Sequence, residues 1–186
     1  PRAIREFLYR LVADRTLAHL LERTLDLGDV ATTEAPDDDQ RVLGDVIAPY
    51  ILHGSFVIVL GGGHETAFGH YLGHAHSVSP VRIVNWDAHT DVRPRVAAGG
   101  HSGSPFPQAI EQAGLAPTRY SVVGLQPHAV AAAHEQWVVA HEGRCVWRDE
   151  IGISAIRPLY ESEKPTMVSF DLDAVDQACA PGVSAP

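Results

Sequence analysis

The sequence predicts an α/β protein: a three-layer α/β/α sandwich around a mostly parallel sheet. Two observations predict it. Short apolar runs rich in Val, Ile and Tyr alternate along the 186 residues with longer runs of helical period. Such alternation produces parallel strands covered on both faces. The residues that carry chemistry also stand just after three of the apolar runs, at strand carboxyl ends, where ligands gather in open sheets of this kind. A chain of this length buries a sizeable core, so residues 1–186 read as a single domain.

Ile4, Leu8, Leu11 and Val12, then Leu17, Leu20 and Leu21, recur at helical spacing and predict a helix over 2–23. Residues 25–30 predict a short strand. TTEAPDDDQ at 32–40 is a polar loop whose acidic run suits a solvated loop and helix N-cap rather than a calcium site. A helix is expected over 40–52, then a strand at 55–60. A GGG turn leads from it to a helix at 65–75. The strand at 81–86 runs into a polar loop, followed by a helix over 105–114. YSVVGL at 120–125 is a strand, 128–142 a helix, 144–147 a short strand, 149–161 a helix and 166–172 a strand. The chain opens on Pro and closes on APGVSAP, directly after that last strand. A parallel sheet needs a covering element there, so the domain is expected to be truncated at both ends.

Composition narrows the function. The 45% apolar content is ordinary for a globular protein. A net charge of −9 argues against general nucleic-acid binding. No stretch has the apolar length of a transmembrane helix, and no secretory signal is visible. Cys145 and Cys179 are far apart and in no metal or redox spacing, which suits free thiols in a cytoplasmic protein.

Three motifs carry chemistry. NWDAHTD supplies Asp87, His89 and Asp91; SFDLDAVD at 169–176 supplies Asp171 and Asp173; GGGHE supplies His64 and Glu65. In an extended chain residues two apart point the same way, so Asp87, His89 and Asp91 are expected to converge, as are Asp171 and Asp173. Five carboxylates and two imidazoles at neighbouring strand ends need a cation, because isolated buried charge is costly. Each piece alone is weak. A strand-end Asp is usually a turn residue or cap, as Asp149 and Asp176 are read. GGGH lacks the Lys-Ser/Thr of a phosphate loop and the spacing of a dinucleotide fingerprint. His70 and His74 have the i, i+4 spacing of a metal pair but no acidic partner nearby, and suit a surface or packing role. His128, His134 and His141 read as surface residues.

At the three motifs the chain resembles the ureohydrolase family, which includes arginase, agmatinase and formimidoylglutamase. The family's GG-x-H turn, D-A-H-x-D loop and S-x-D-x-D-x-x-D segment match 61–64, 87–91 and 169–176. PRAIR at 1–5 and DLGDV at 26–30 are similar to its early segments, so the resemblance spans nearly the whole chain. It implies an arginase-like fold and two Mn2+ ions. His64, Asp87, Asp91 and Asp171 would hold one, and Asp87, His89, Asp171 and Asp173 the other, with Asp87 and Asp171 bridging. Carboxylate with some imidazole suits Mn2+. Such a pair, about 3.5–4 Å apart, shares one water and makes it a hydroxide near neutral pH. The resemblance also implies a small-molecule substrate, a homo-oligomer, and proton transfer through Asp91.

Several positions depart from the arginase pattern. The arginase loop has a histidine immediately before G-x-P; here Ser102 stands in that place and His101 one residue earlier. His101 is kept as a catalytic candidate and Ser102 as a substrate contact. Arg93 occupies the position of an amide that contacts the substrate carboxylate in arginase, where its alternative is a structural salt bridge to a loop carboxylate. GGGHE, Gln177 after Asp176, and Arg93 together resemble formimidoylglutamase, whose substrate carries two carboxylates. An Arg fork suits such an anion. The implied reaction is hydrolysis of N-formimidoyl-L-glutamate to glutamate and formamide, in histidine degradation. The alternatives are a ureohydrolase acting on a guanidinium compound, a one-zinc deacetylase of related topology, and a metal-binding domain without turnover. The additional ligands His64, Asp91 and Asp173 disfavour the deacetylase.

Overall fold

The computed structural model describes residues 2–15, 17–77, 81–161 and 165–183. Thr16 of the expected first helix, Pro1 of PRAIR and the last three residues of APGVSAP lie outside the described residues. The most apolar runs form the middle of the sheet. β1 (Arg82–Trp86) pairs in parallel with β2 (Tyr120–Leu125) on one side and β4 (Thr166–Phe170) on the other. β3 (Arg144–Trp147) adds outside β2, giving the order β3-β2-β1-β4. Every residue of β2 is buried, as a parallel strand covered on both faces requires.

Alternation along the strands divides the core. Ile83, Val122 and Met167 join the larger apolar cluster with Phe68, Phe106 and Tyr120. Val84, Val123 and Val146 turn to the opposite face and pack with Leu159. The helices α3 (Pro36–Leu52) and α4 (Thr66–Ala75) cross closely because glycines stand at the contact: a Cβ on Gly73 would lie 2.4 Å from Ile47 Cγ1. The connections between strands carry α5 (Pro105–Ala113), α6 (Ala132–Ala140) and α7 (Ile153–Tyr160).

β2 and β3 lie at their expected places, and β1, β4, α4, α5, α6 and α7 lie close to theirs with somewhat shorter ends. α3 starts four residues earlier than expected, because Pro36 occupies its first turn and Asp37, Asp38 and Asp39 face the positive end of the helix dipole. α5 stops at Gly114, whose φ of 72° is a left-handed cap.

Three expectations are corrected. The helix predicted over 2–23 is two short pieces, α1 (Arg2–Leu8) and α2 (Ala18–Leu21), neither with a buried residue. Its apolar stripe stays exposed: Ile4 is 52% and Val12 95% exposed. Helices are held mainly by packing of their apolar face, so the periodicity alone does not suffice. Residues 25–30 form no strand; Gly28 turns the chain at φ 79°, and Arg5 pairs with Asp26 and Asp29. Residues 55–60 join no ladder among the described residues, and Phe56 and Ile58 stay exposed, as do Val168 and Phe170 on β4.

His70 and His74 stand one turn apart on α4 with ring centroids 5.2 Å apart. Burial, and then the neighbouring His74, pushes the His70 imidazole down to about 4. Unfolded histidine titrates near 6.5. The unfolded chain therefore takes up the proton first as pH falls. The stability held by a neutral His70 is complete above about 6.5 and is lost between there and about 4. That gap corresponds to roughly 3 kcal/mol at its full extent. His70→Gln is expected to flatten the acid limb of stability, measured by urea unfolding at pH 4 to 8. An unchanged slope would remove His70 as the cause.

Candidate metal centre

The three motifs meet at the carboxyl ends of β1 and β4 and the amino end of α4. β1 hands over directly to Asp87, whose backbone N–H donates to Val123 O at 2.9 Å, so the chain is still tied to β2 there. β4 hands over to Asp171, whose N–H donates to Trp86 O at 2.8 Å. A single 3-10 turn, Leu172–Ala174, then brings Asp173 back, and Asp171 Oδ1 accepts from Asp173 N at 3.0 Å. His64 arrives from the glycine turn before α4.

His64 Nδ1 lies 2.7 Å from Asp91 Oδ2, 3.2 Å from Asp171 Oδ2 and 3.3 Å from Asp87 Oδ2. It is buried, yet it is not aligned for a hydrogen bond with any of them. Its other nitrogen, Nε2, is 2.8 Å from Ser169 Oγ. With the ring donating to Ser169, the Nδ1 lone pair faces three carboxylates. That arrangement suits a cation at their common focus and, without one, a protonated ring. His89 Nδ1 lies 2.9 Å from Asp173 Oδ2 and 3.5 Å from Asp87 Oδ1. Ligand atoms of His64, Asp87, Asp91 and Asp171 all fall within 4.8 Å of one another, as do those of Asp87, His89 and Asp173. All six expected ligands are thus brought together, and Asp87 belongs to both groups. Asp171 stands in the first group only. The carboxylate of Glu65 belongs to neither.

The electrostatics match a site built for positive charge. Burial alone lowers the His64 imidazole, but the carboxylates of Asp171, Asp87 and Asp91 outweigh it and raise it to about 12. The carboxylates of Asp173 and Asp87 raise His89 to about 10. Burial raises Asp91 and Asp173. Contact with His64 lowers Asp171. Asp87 is lowered although burial works against it, because His64 and His89 both face it. The free thiols lie apart: Cys145 is half-buried and Cys179 exposed, and burial pushes Cys145 up to about 11.

Sequence reasoning did not single out the groups that support the ligands. Asn85 is fully buried and its Nδ2 donates to Asp87 Oδ2 at 2.9 Å, leaving its Oδ1 without a hydrogen bond among the described residues. Backbone N–H groups of Ala88 and His89 donate to Asp173 and Asp87 at 3.1 and 2.7 Å. A polar residue at 85, directly after the apolar Ile83 and Val84 and inside the strand, was the available signal.

The loop after Asp91 is pinned to α3, where Asp37 accepts from Gly100 N at 2.9 Å and pairs with Arg95. The structure commits His101 to this loop. Its Nε2 is 3.0 Å from Pro94 O, and its Nδ1 accepts from Gly103 N at 3.1 Å. Ser102 is exposed. Arg93 lies across Gly103: a Cβ there would stand 2.0 Å from Arg93 Nε. Arg93 pairs with no carboxylate among the described residues, in contrast to Arg5, Arg41, Arg95 and Arg157. It borders an open surface depression of about 560 Å³ with Pro94, Val96, His101 and His134. His134 is half-buried there, and His141 is half-buried and stacks on Trp137 at 3.9 Å, so of the three histidines read as surface residues only His128 is exposed.

Comparison with known proteins agrees with this geometry. The Arginase family model matches residues 1–186. The formimidoylglutamase of Geobacillus kaustophilus is 36% identical over all of this chain and 59% of its own length. That of Rhodococcus opacus is 33% identical over all of this chain and 61% of its own length. The chain thus spans about three fifths of the curated relatives it matches. The structure of Trypanosoma cruzi formiminoglutamase with Mn2+ superposes with a TM-score of 0.86 at 28% identity, covering all of this chain and 66% of that one. The four-stranded parallel sheet, the ligand cluster and these matches have one origin: the chain belongs to the arginase family.

Proposed function

We infer that this chain acts in the Mn2+-dependent hydrolysis of N-formimidoyl-L-glutamate to L-glutamate and formamide, a step of histidine degradation. The observation that carries the substrate assignment is Arg93, a guanidinium held two residues from Asp91 without an acidic partner among the described residues. Relatives named formimidoylglutamase support it.

His64, Asp87, Asp91 and Asp171 would hold one Mn2+, and Asp87, His89 and Asp173 the second. Bound there, two Mn2+ ions supply an activated water at neutral pH and polarise the amidine carbon. The chain's own groups do the rest. Asn85 and the N–H of His89 hold Asp87 between the two groups. Asp91, raised by burial, is suited to take a proton from the attacking water and deliver it to the departing amine. Arg93 would grip a substrate carboxylate through a bidentate fork. Water adds to the amidine carbon, the bond from that carbon to the glutamate nitrogen breaks as the nitrogen takes a proton, the oxygen stays with formamide, and glutamate leaves as the amine. His101, with both ring nitrogens engaged by backbone, would act by shaping the loop that carries Arg93.

A substrate panel on the full-length protein with Mn2+ tests this. Formamide from N-formimidoyl-L-glutamate, and no urea from arginine, agmatine or 4-guanidinobutyrate, is the expected result. Urea from any of the last three would overturn the substrate and leave the metal centre standing.

A further inference from the structure

Asp91 is one of two non-glycine residues with positive φ among the described residues, at 46°. Left-handed backbone is unfavourable for an L-residue, though Asp tolerates it better than most. A carboxylate aimed from such a residue needs something to hold its backbone. The rotation in question turns on the peptide that joins Thr90 to Asp91, and the oxygen of that peptide is held. Tyr120 donates its phenol proton to Thr90 O at 2.7 Å.

The donor is rigidly mounted. Tyr120 opens β2, is 1% exposed, and faces Ile83 across the ladder. Its ring stacks on Phe106 at 4.5 Å, and Phe106 meets the His64 ring edge-on at 5.5 Å. Asp91 Oδ2 then reaches His64 Nδ1 at 2.7 Å. The phenol is thus the link between a fixed strand and the one ligand whose backbone is strained. Burial raises the phenol well above its usual range, so it stays a donor.

The geometry points to Tyr120 as a positioning residue of the metal centre: its hydroxyl fixes the Thr90–Asp91 peptide so that the Asp91 carboxylate faces the ion shared with His64. This role rests on the two-Mn2+ reading. A residue that only fills the core would be served equally well by phenylalanine, which keeps the ring and its stacking.

Tyr120→Phe in the full-length protein separates the two. Mn2+ titration by calorimetry is expected to show one of the two ions bound about tenfold more weakly, the size typical of a lost outer-shell contact. At stoichiometric Mn2+, the electron paramagnetic resonance signal of a coupled pair should give way to that of a single ion. In an Asp91→Asn background the same substitution should change neither readout, because the ligand it acts through is already altered. Unchanged binding and an unchanged coupled signal, with only a lower melting temperature, would overturn the role in favour of packing. A Tyr120→Phe protein that does not fold would also overturn it, because the hydroxyl would then hold the whole fold rather than one ligand. Unaltered protein that binds no Mn2+ pair would instead overturn the metal reading, and the role of Tyr120 with it.

Discussion

Asp171→Ala is expected to lower turnover about a thousandfold and to reduce bound Mn2+ from two ions per chain to one. The size follows from the several kcal/mol of charge stabilisation that a metal pair supplies to a hydrolytic transition state, at about 1.4 kcal/mol per factor of ten. Asp171 is the right ligand to remove. Its side chain is 28% exposed, against 1% for Asp87, so its loss should leave the fold intact. It stands directly after β4, and its backbone N–H keeps the ladder bond to Trp86 whatever the side chain. Two consequences are separable. Loss of the charge weakens the group around His64. Loss of the Oδ1 acceptor frees the N–H of Asp173, which sets the turn that presents Asp173 to His89. Asp171→Asn keeps an oxygen for that bond and loses only the charge. It should retain the His89 group while binding Mn2+ weakly at the His64 group. Metal content by mass spectrometry and turnover on the same samples decide this. Full activity with one ion bound would end the two-metal assignment.

The sequence placed the chemistry better than the geometry that brings it together. The six candidate ligands that meet in the structure were legible because several carboxylates and imidazoles clustered after apolar strands carry too much charge to be buried without a cation. Alternation along an extended chain would make them converge, yet in the structure neither segment is extended where it matters. Asp91 sits in the left-handed region, and Asp171 and Asp173 are joined by a 3-10 turn. Turns do the converging, and turn conformation depends on contacts such as Tyr120 with Thr90 that no local pattern encodes. The same division holds for the fold. β2 and β3 begin and end where expected, because each strand has neighbours or covering helices to bury it. The first helix and the segments 25–30 and 55–60 failed as regular elements, and most of their apolar residues stay exposed among the described residues. Periodicity reports what a segment is able to bury, and burial needs the surface opposite.

Arg93→Leu is expected to lower kcat/KM for N-formimidoyl-L-glutamate about 100-fold, chiefly by raising KM. Truncating one member of a hydrogen-bonded charge pair costs about 2–5 kcal/mol, and the exposure of Arg93 places it at the low end of that range. Three features suit the residue to the proposed binding role rather than to a structural one. Its guanidinium rests over Gly103, where any Cβ would collide with it, so the loop leaves room for the arginine. Its backbone N–H donates to Gly103 O at 2.8 Å, which fixes where the side chain starts. And where Arg95, two residues on, is neutralised by Asp37, Arg93 has no acidic partner among the described residues. A structural salt bridge to a loop carboxylate is therefore not what the described residues contain. Mn2+ binding should be unaffected, because Arg93 belongs to neither ligand group. Arg93→Lys should recover part of the loss, since it restores the charge without the planar fork. A KM unmoved by Arg93→Leu would place the substrate carboxylates elsewhere. A variant that gained activity on agmatine while losing it on N-formimidoyl-L-glutamate would identify Arg93 as the residue that tells an anionic substrate from a cationic one.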